Sequence, residues 1–163
     1  MASELKFRIH DLAAVEERLE ELGGRVTSHL HVIDTYFNQP PGQVLKISHD
    51  ESGVHLVRLR RDNGGFEILE NRKLEPESPI PQELEAEFGV KVILEKKRVL
   101  YEISHKNYSV NLNLISGVGD FLIVESEGVD IDLVCTELNL SPDDQVTESF
   151  DELKLRLDGR ELS

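Results

Sequence analysis

Basic residues two positions apart occur in three segments of this chain that have the pattern of β-strands. The first segment is Glu4-Leu5-Lys6-Phe7-Arg8-Ile9, and the other two contain Arg58-Leu59-Arg60 and Lys96-Lys97-Arg98. Side chains two residues apart on a strand point to the same face and are about 7 Å apart. Each segment therefore presents a pair of cations on one face. Several such pairs on one sheet suit a ligand with adjacent anionic groups, such as a polyphosphate.

The overall charge limits which anions such a protein can bind. The chain has 163 residues, with 18 Lys and Arg against 32 Asp and Glu, a formal net charge of −14. A surface this acidic repels nucleic-acid backbones and anionic membranes, so we expect neither as a partner. The length predicts one domain, residues 1–163. The single cysteine and the lack of a signal-peptide pattern or a membrane-spanning apolar run favour a cytoplasmic protein.

The periodicity of the chain predicts an antiparallel sheet accompanied by short helices. Strands are predicted near residues 3–10, 25–38, 43–48, 54–61, 66–74, 91–103, 108–115 and 120–127. Helices are predicted over about 11–22, 82–88, 130–138 and 150–157. We therefore expect an α+β fold, an eight-stranded antiparallel β-barrel or tunnel with flanking helices. Patterning alone leaves a second arrangement open, in which the charged faces are the solvent-exposed side of an open sheet.

Six short motifs follow each other along the chain. They are Glu4 to Ile9 with the helix after it, Asp34-Thr35-Tyr36-Phe37, Arg58-Leu59-Arg60, Glu95-Lys96-Lys97-Arg98, Gly117-Val118-Gly119-Asp120-Phe121 and Ser149-Phe150-Asp151-Glu152-Leu153. In this order they resemble the CYTH family, or triphosphate tunnel metalloenzymes, which includes class IV adenylyl cyclases, thiamine triphosphatases and inorganic tripolyphosphatases. The resemblance implies an eight-stranded tunnel in which cations grip a triphosphate and acidic residues hold Mg²⁺ or Mn²⁺.

The resemblance also implies roles for individual residues. The substrate-binding positions that it implies are Lys6, Arg8, Arg58, Arg60, Lys73, Lys96 and Arg98. Glu4 falls on a metal-ligand position of the family's opening motif. A two-residue bulge in the last strand would place Glu125 and Glu127 on two more metal-ligand positions.

Three positions depart from the family pattern. Ala2, Asn113 and Ile123 stand where the family has carboxylates, although one or two carboxylates and the substrate's phosphates can suffice for Mg²⁺. The leading hypothesis is a divalent-metal-dependent enzyme that cyclises ATP or hydrolyses a triphosphate such as ATP, thiamine triphosphate or tripolyphosphate. The sequence does not assign its catalytic residues. The alternative is a non-catalytic polyphosphate- or nucleotide-binding module that has lost part of its metal site.

Overall fold

Eight strands form a closed antiparallel barrel in the computed structural model, which describes residues 2–62, 64–128 and 130–162. The strands are β1 (Ser3–Arg8), β2 (Gly24–Phe37), β3 (Gln43–Asp50), β4 (Gly53–Asp62), β5 (Gly65–Leu74), β6 (Val90–Ile103), β7 (Tyr108–Ile115) and β8 (Gly119–Ser126). Their order around the barrel is β1-β5-β4-β3-β2-β6-β7-β8. The predicted α+β barrel is confirmed, and the open sheet is excluded because the described strands close on each other.

Four α-helices flank the barrel: α1 (Leu12–Glu21), α2 (Ile80–Phe88), α3 (Ile131–Leu138) and α4 (Phe150–Leu162). α1 begins where the Asp11 carboxylate accepts a hydrogen bond from the backbone N–H of Ala14, and Asp130 caps α3 in a similar way. These side chains satisfy N–H groups that have no partner within the helix. Within the described residues, no helix has both the length and the apolar character needed to cross a membrane.

Helices cover the outer face of the barrel on two sides. Leu112, Leu122 and Val124 point outward from β7 and β8 and pack in one buried cluster that also includes Leu19 of α1 and Val134 of α3. On the other side, apolar residues of β3 and β4 form a second cluster beside α2. Strands whose outer faces are apolar in this way leave the interior free for polar side chains.

The start of α4 closes one end of the barrel, which we call the base. Phe150 and Leu153 are 5% and 1% exposed and pack against inward-facing residues such as Leu59 and Phe66. The opposite end, which we call the mouth, is open, because the exposed residues Ser52 and Asn71 line the internal cavity there. Within the described residues, the barrel is therefore a cup that is covered at the base and open at the mouth.

Candidate functional site

The cup contains a cavity of about 240 Å³ that is lined by residues of opposite character. Its ionisable lining residues are Glu4, Lys6, Lys46, Asp50, His55, Lys96, Arg98 and Glu125. Apolar side chains complete the wall, with Val57 and Leu59 from β4 and Leu30 and Leu100 near the mouth. The volume is below the roughly 300–1,000 Å³ of pockets that enclose a drug-sized ligand. A nucleotide-sized molecule would therefore place only part of itself inside.

Three of the predicted substrate-binding residues meet in this cavity. β1 contributes Lys6, and β6 contributes Lys96 and Arg98. The two lysines are 4% and 5% exposed, and Arg98 lies closer to the mouth, beside Glu125. Strict alternation on β1 and β6 places all of these side chains on the inner face. Their role in substrate binding stays a prediction.

The prediction that Arg58 and Arg60 share the cavity is wrong. Both arginines point out of the barrel, where they form ion pairs with Glu70 (3.8 Å) and Glu67 (2.5 Å). β4 instead turns Val57 and Leu59 inward. Outward placement avoids the desolvation of two more guanidinium groups and lets the two apolar side chains join the packing at the base.

Arg8 and Lys73 also lie outside the cavity, at opposite ends of the barrel. The Arg8 guanidinium carbon is 5.0 Å from the centre of the Phe121 ring, and Arg8 lines a separate surface depression beyond the base. Lys73 is exposed on β5, opposite His55 of β4 in the strand register. Arg8 therefore cannot contact a ligand inside the cup, whereas Lys73 is close enough to the mouth to contact the part of a ligand that stays outside.

A buried carboxylate, Asp34, holds two lysines in place. Its Oδ2 atom is 3.0 Å from both Lys46 Nζ and Lys96 Nζ, and Ser48 donates a hydrogen bond of 2.6 Å to Oδ1. Burial alone would raise the pKa of Asp34, but the two lysines and Ser48 hold it well below its usual range. Asp34 therefore acts as the anion that orders the cationic side of the cavity.

Lys46 is a site residue that the sequence analysis did not identify. It is the single basic residue on β3, in the run Val44-Leu45-Lys46-Ile47-Ser48. The alternation of side chains along β3 could have placed Lys46 inside, because Val44, Lys46 and Ser48 share one face of the strand and all three line the cavity. Burial alone would lower the pKa of Lys46, but Asp34 raises it above its ordinary value. Lys46 therefore stays charged.

The other two lysines are buried with less compensation. Burial lowers the pKa of Lys96 to about 7, against the attraction of Asp34 and with further repulsion from Lys46 and Arg98. Burial likewise lowers the pKa of Lys6 to about 8. Part of the Lys6 and Lys96 population is therefore uncharged near neutral pH, and a bound anion would restore the charged form.

The aromatic base of the cup partly offsets the burial of Lys6. Its Nζ donates a hydrogen bond of 2.9 Å to the Glu148 carbonyl and lies 4.0 Å from the centre of the Phe150 ring. Lys96 Nζ lies 5.4 Å from the same ring. Cation–π contacts of this kind stabilise a desolvated ammonium group. The start of α4 thus both closes the cup and positions two of its cations.

Glu4 and Glu125 form a carboxylate pair on the wall of the cavity. They are opposite each other in the β1–β8 register, and both line the cavity. Burial and the neighbouring Glu4 raise the pKa of Glu125, although Arg98 Nη2 lies 3.5 Å from its Oε1. Glu127 is exposed, follows the last residue of β8 and does not line this cavity. The three-carboxylate arrangement predicted with Glu127 is therefore wrong.

The cavity supplies only a small number of protein ligands for a divalent cation. Among the described residues, no group of three His, Cys, Asp or Glu side chains is arranged to hold a metal ion. The buried Oδ1 of Asn113 also has no hydrogen-bond partner in the described part of the chain, but Asn113 is opposite Phe121, four residues along β8 from Glu125, and lies too deep to share an ion with the carboxylate pair. Glu4 and Glu125 with water and substrate phosphates form an oxygen ligand set of the kind that Mg²⁺ uses.

Comparison with solved structures identifies other proteins with this fold. A protein from Pyrococcus horikoshii OT3 superposes with a TM-score of 0.79 at 22% identity, covering 94% of this chain and 99% of that one. A candidate adenylate cyclase from Vibrio parahaemolyticus gives a TM-score of 0.69 at 15% identity, covering 93% and 96%. A candidate adenylyl cyclase from Hippeastrum, described as having a dominant triphosphatase activity, gives 0.58 at 14% identity, covering 91% of each chain.

These likenesses show the fold over nearly the full length of both partners. No protein-family model matches the chain, and no curated protein matches it significantly. The neighbours described as candidate cyclases are consistent with the CYTH resemblance of the sequence.

Proposed function

We propose that the cup binds the phosphate chain of a small-molecule triphosphate and that the protein is a metal-dependent enzyme of the CYTH type. The observation that carries this proposal is the convergence of four cations, Lys6, Lys46, Lys96 and Arg98, inside one cavity. The carboxylate pair faces the same space. Two of the solved structures with this fold belong to candidate adenylyl cyclases, one with triphosphatase activity.

The position of the cations sets the direction in which a substrate would enter. Lys6 and Lys96 contact Phe150 at the base, so the phosphate chain enters first and any organic group stays at the mouth. The ammonium groups would bind the inner phosphates, and Arg98 would bind an outer one through its planar donors. Fixed cations in a desolvated cavity stabilise the charge that develops on a leaving phosphate.

A Mg²⁺ or Mn²⁺ ion would be held by Glu4 and Glu125 together with water and substrate phosphates, and would supply charge stabilisation on the reacting phosphate. The four cations face four carboxylates, those of Glu4, Asp34, Asp50 and Glu125, so the cavity has no formal net charge. A divalent ion is therefore expected to strengthen triphosphate binding substantially.

A matched pair of arginine substitutions tests where the triphosphate binds. Arg98→Gln removes an inward cation, whereas Arg60→Gln removes an exposed, outward one that pairs with Glu67 and does not line the cavity. Calorimetry with tripolyphosphate and Mg²⁺ should show affinity at least tenfold weaker for Arg98→Gln and unchanged for Arg60→Gln. Equal affinity of Arg98→Gln and the parent protein would refute binding in the cup.

Turnover separates the enzyme from its alternative. ATP, thiamine triphosphate and tripolyphosphate should be incubated with Mg²⁺ or Mn²⁺ and the products resolved. Phosphate, diphosphate or cyclic nucleotide formed only with the metal supports the enzyme. The non-catalytic module is favoured by Ile123, which fills a family carboxylate position and is packed with Phe121 and Phe150 in the core at the base. Tight binding that is indifferent to metal, without any product, would establish that module.

A further inference from the structure

A chain of hydrogen bonds lies in the β3–β4 turn at the mouth of the cup. The backbone N–H of Ser52 donates to Asp50 Oδ1 at 2.7 Å, and the Ser52 hydroxyl donates to the same oxygen at 2.5 Å. Ser52 Oγ is also 3.0 Å from His55 Nε2. All three side chains line the cavity that contains the cations. The turn therefore connects an imidazole to the interior of the cup.

The geometry of this chain selects the tautomer of His55. Because the single hydroxyl proton of Ser52 is given to Asp50, Ser52 Oγ can only accept from the imidazole, so Nε2 carries a proton. Nδ1 makes no hydrogen bond to any described residue. The ring thus has one nitrogen fixed by the turn and one nitrogen able to accept a proton. An orienting group behind an imidazole is the usual arrangement for a proton acceptor in an active site.

His55 lies one layer closer to the mouth than the buried cations. It is opposite Ser48 in the β3–β4 register, and Ser48 bonds to Asp34, which holds Lys46 and Lys96. A phosphate chain that enters first and reaches those lysines leaves its outermost phosphorus near this layer. Among the described residues, His55 is the histidine that lines the cavity.

The charged groups packed around His55 come from two strands. Asp50 is the last residue of β3, and its carboxylate faces the far side of Ser52. Lys73 is opposite His55 on β5, and its side chain packs over Gly53. One anion and one cation thus flank the imidazole, and neither occupies its free nitrogen.

We propose that His55 is the general base of the reaction and that Ser52 and Asp50 are its positioning residues. This inference rests on the proposed enzymatic function. A hydroxyl group at the mouth, of water or of the ligand itself, gives its proton to His55 Nδ1 while its oxygen forms a bond to the outermost phosphorus. The bond from that phosphorus to the bridging oxygen breaks, and its electron pair stays on the departing diphosphate beside Lys6 and Lys96. The imidazolium then returns its proton to solvent.

The test compares His55→Gln with His49→Gln, a control on β3 whose side chain is exposed and does not line the cavity. With ATP and Mg²⁺, the parent should release diphosphate. His55→Gln should lower kcat at least 100-fold, as expected for the loss of a general base. Its affinity for tripolyphosphate by calorimetry should change less than threefold, and His49→Gln should match the parent in both measurements.

Two further readouts separate proton transfer from a structural role. Added imidazole should restore part of the activity of His55→Ala, and Ser52→Ala should lower kcat about tenfold and shift the acid limb of the pH–rate profile. A parent without turnover on any triphosphate would overturn both the enzyme and this inference. If the parent is active, three results would refute the role of His55 alone. These are a kcat of His55→Gln within threefold of the parent, a loss of its affinity as large as its loss of activity, and release of the terminal phosphate in place of diphosphate.

Discussion

Replacing Asp34 by Asn tests the internal ion cluster that positions the cations. The substitution keeps the shape of the side chain and its ability to accept from Ser48, but it removes the charge that Lys46 and Lys96 contact at 3.0 Å. Each charge-assisted hydrogen bond contributes about 1.5–3 kcal/mol, and breaking a buried ion pair by removing one partner costs about 3–5 kcal/mol. Because the pKa of Lys96 is about 7, loss of its proton relieves part of the repulsion. We therefore expect Asp34→Asn to lower the free energy of unfolding by about 3–5 kcal/mol.

Urea denaturation at pH 7, followed by circular dichroism, measures this change. Glu70→Gln is the matched control, because Glu70 is a carboxylate paired with Arg58 and Arg72 on the outer surface. Surface pairs contribute about 0–1 kcal/mol, so the control should unfold almost like the parent. Tripolyphosphate should stabilise Asp34→Asn more than the parent, since the ligand replaces the missing anion. A loss below about 1 kcal/mol for Asp34→Asn would refute the view that this carboxylate holds the cluster together.

Three other predictions follow from the site and its supporting strands. Triphosphate affinity should fall between pH 7 and 9.5, because the pKa values of Lys6 and Lys96 are about 8 and 7 and each uncharged lysine must regain its proton on binding. The loss should be up to about tenfold per pH unit for each lysine. Calorimetry in buffers of different ionisation enthalpy should show proton uptake, and an affinity that does not change with pH would contradict this prediction. Glu4→Gln should leave metal-free tripolyphosphate binding at least as tight as in the parent, because it removes a carboxylate that repels the phosphates, and it should reduce Mg²⁺-dependent turnover at least tenfold. Unchanged turnover would remove Glu4 from the metal site. Gly65→Ala should unfold at a lower urea concentration than the parent, because a Cβ there would lie 2.3 Å from the Glu4 carbonyl oxygen. Gly159→Ala lies in α4 with open space around it, and its free energy of unfolding should rise by about 1 kcal/mol.

The same two lysines make stability depend on pH in a defined direction. Burial lowers the pKa of each lysine in the folded state below the ordinary lysine value of 10.5. Between the folded and unfolded pKa values, the unfolded chain therefore binds more protons. The free energy of unfolding of the ligand-free protein therefore rises with pH through this window. Ligand binding has the opposite dependence, because it requires the charged lysines.

The sequence predicted the inward-facing residues of β1 and β6 from strand parity. On β1 the charged and apolar residues lie on opposite faces, and on β6 Lys96 and Arg98 share one face while Glu95 and Lys97 share the other. Parity placed Lys6, Lys96 and Arg98 correctly, but it could not show that Arg8, on the same face as Lys6, lies beyond the base of the cup. β4 has apolar residues at Leu56 and Val57 in succession, so both faces could be buried and parity did not decide which one points inward. Arg58 and Arg60 face outward because burying their guanidinium groups would cost more desolvation free energy.

A different limit applies to the residues that depend on tertiary packing. Lys46 is a lone cation between apolar neighbours, and its importance comes from Asp34 on the adjacent strand. Glu127 continues the alternation of Glu125, but β8 ends at Ser126, so its side chain leaves the cavity. Local periodicity predicts neither the partner of Lys46 nor the residue at which β8 ends.

The charge balance of the cup gives a physical reason for a metal ion and a triphosphate to bind together. Asp34 already compensates one of its two lysines, and Glu125 lies 3.5 Å from Arg98, so little positive charge remains for a polyanion. A bare triphosphate that reached the inner lysines would also bring its outer phosphates towards Glu4 and Glu125. A divalent cation between those carboxylates and the phosphates would remove that repulsion and add attraction. Metal-dependent affinity is therefore expected of this chain even though it has fewer carboxylates than the family pattern, and metal-independent affinity would require that Glu4 and Glu125 be protonated or turned away.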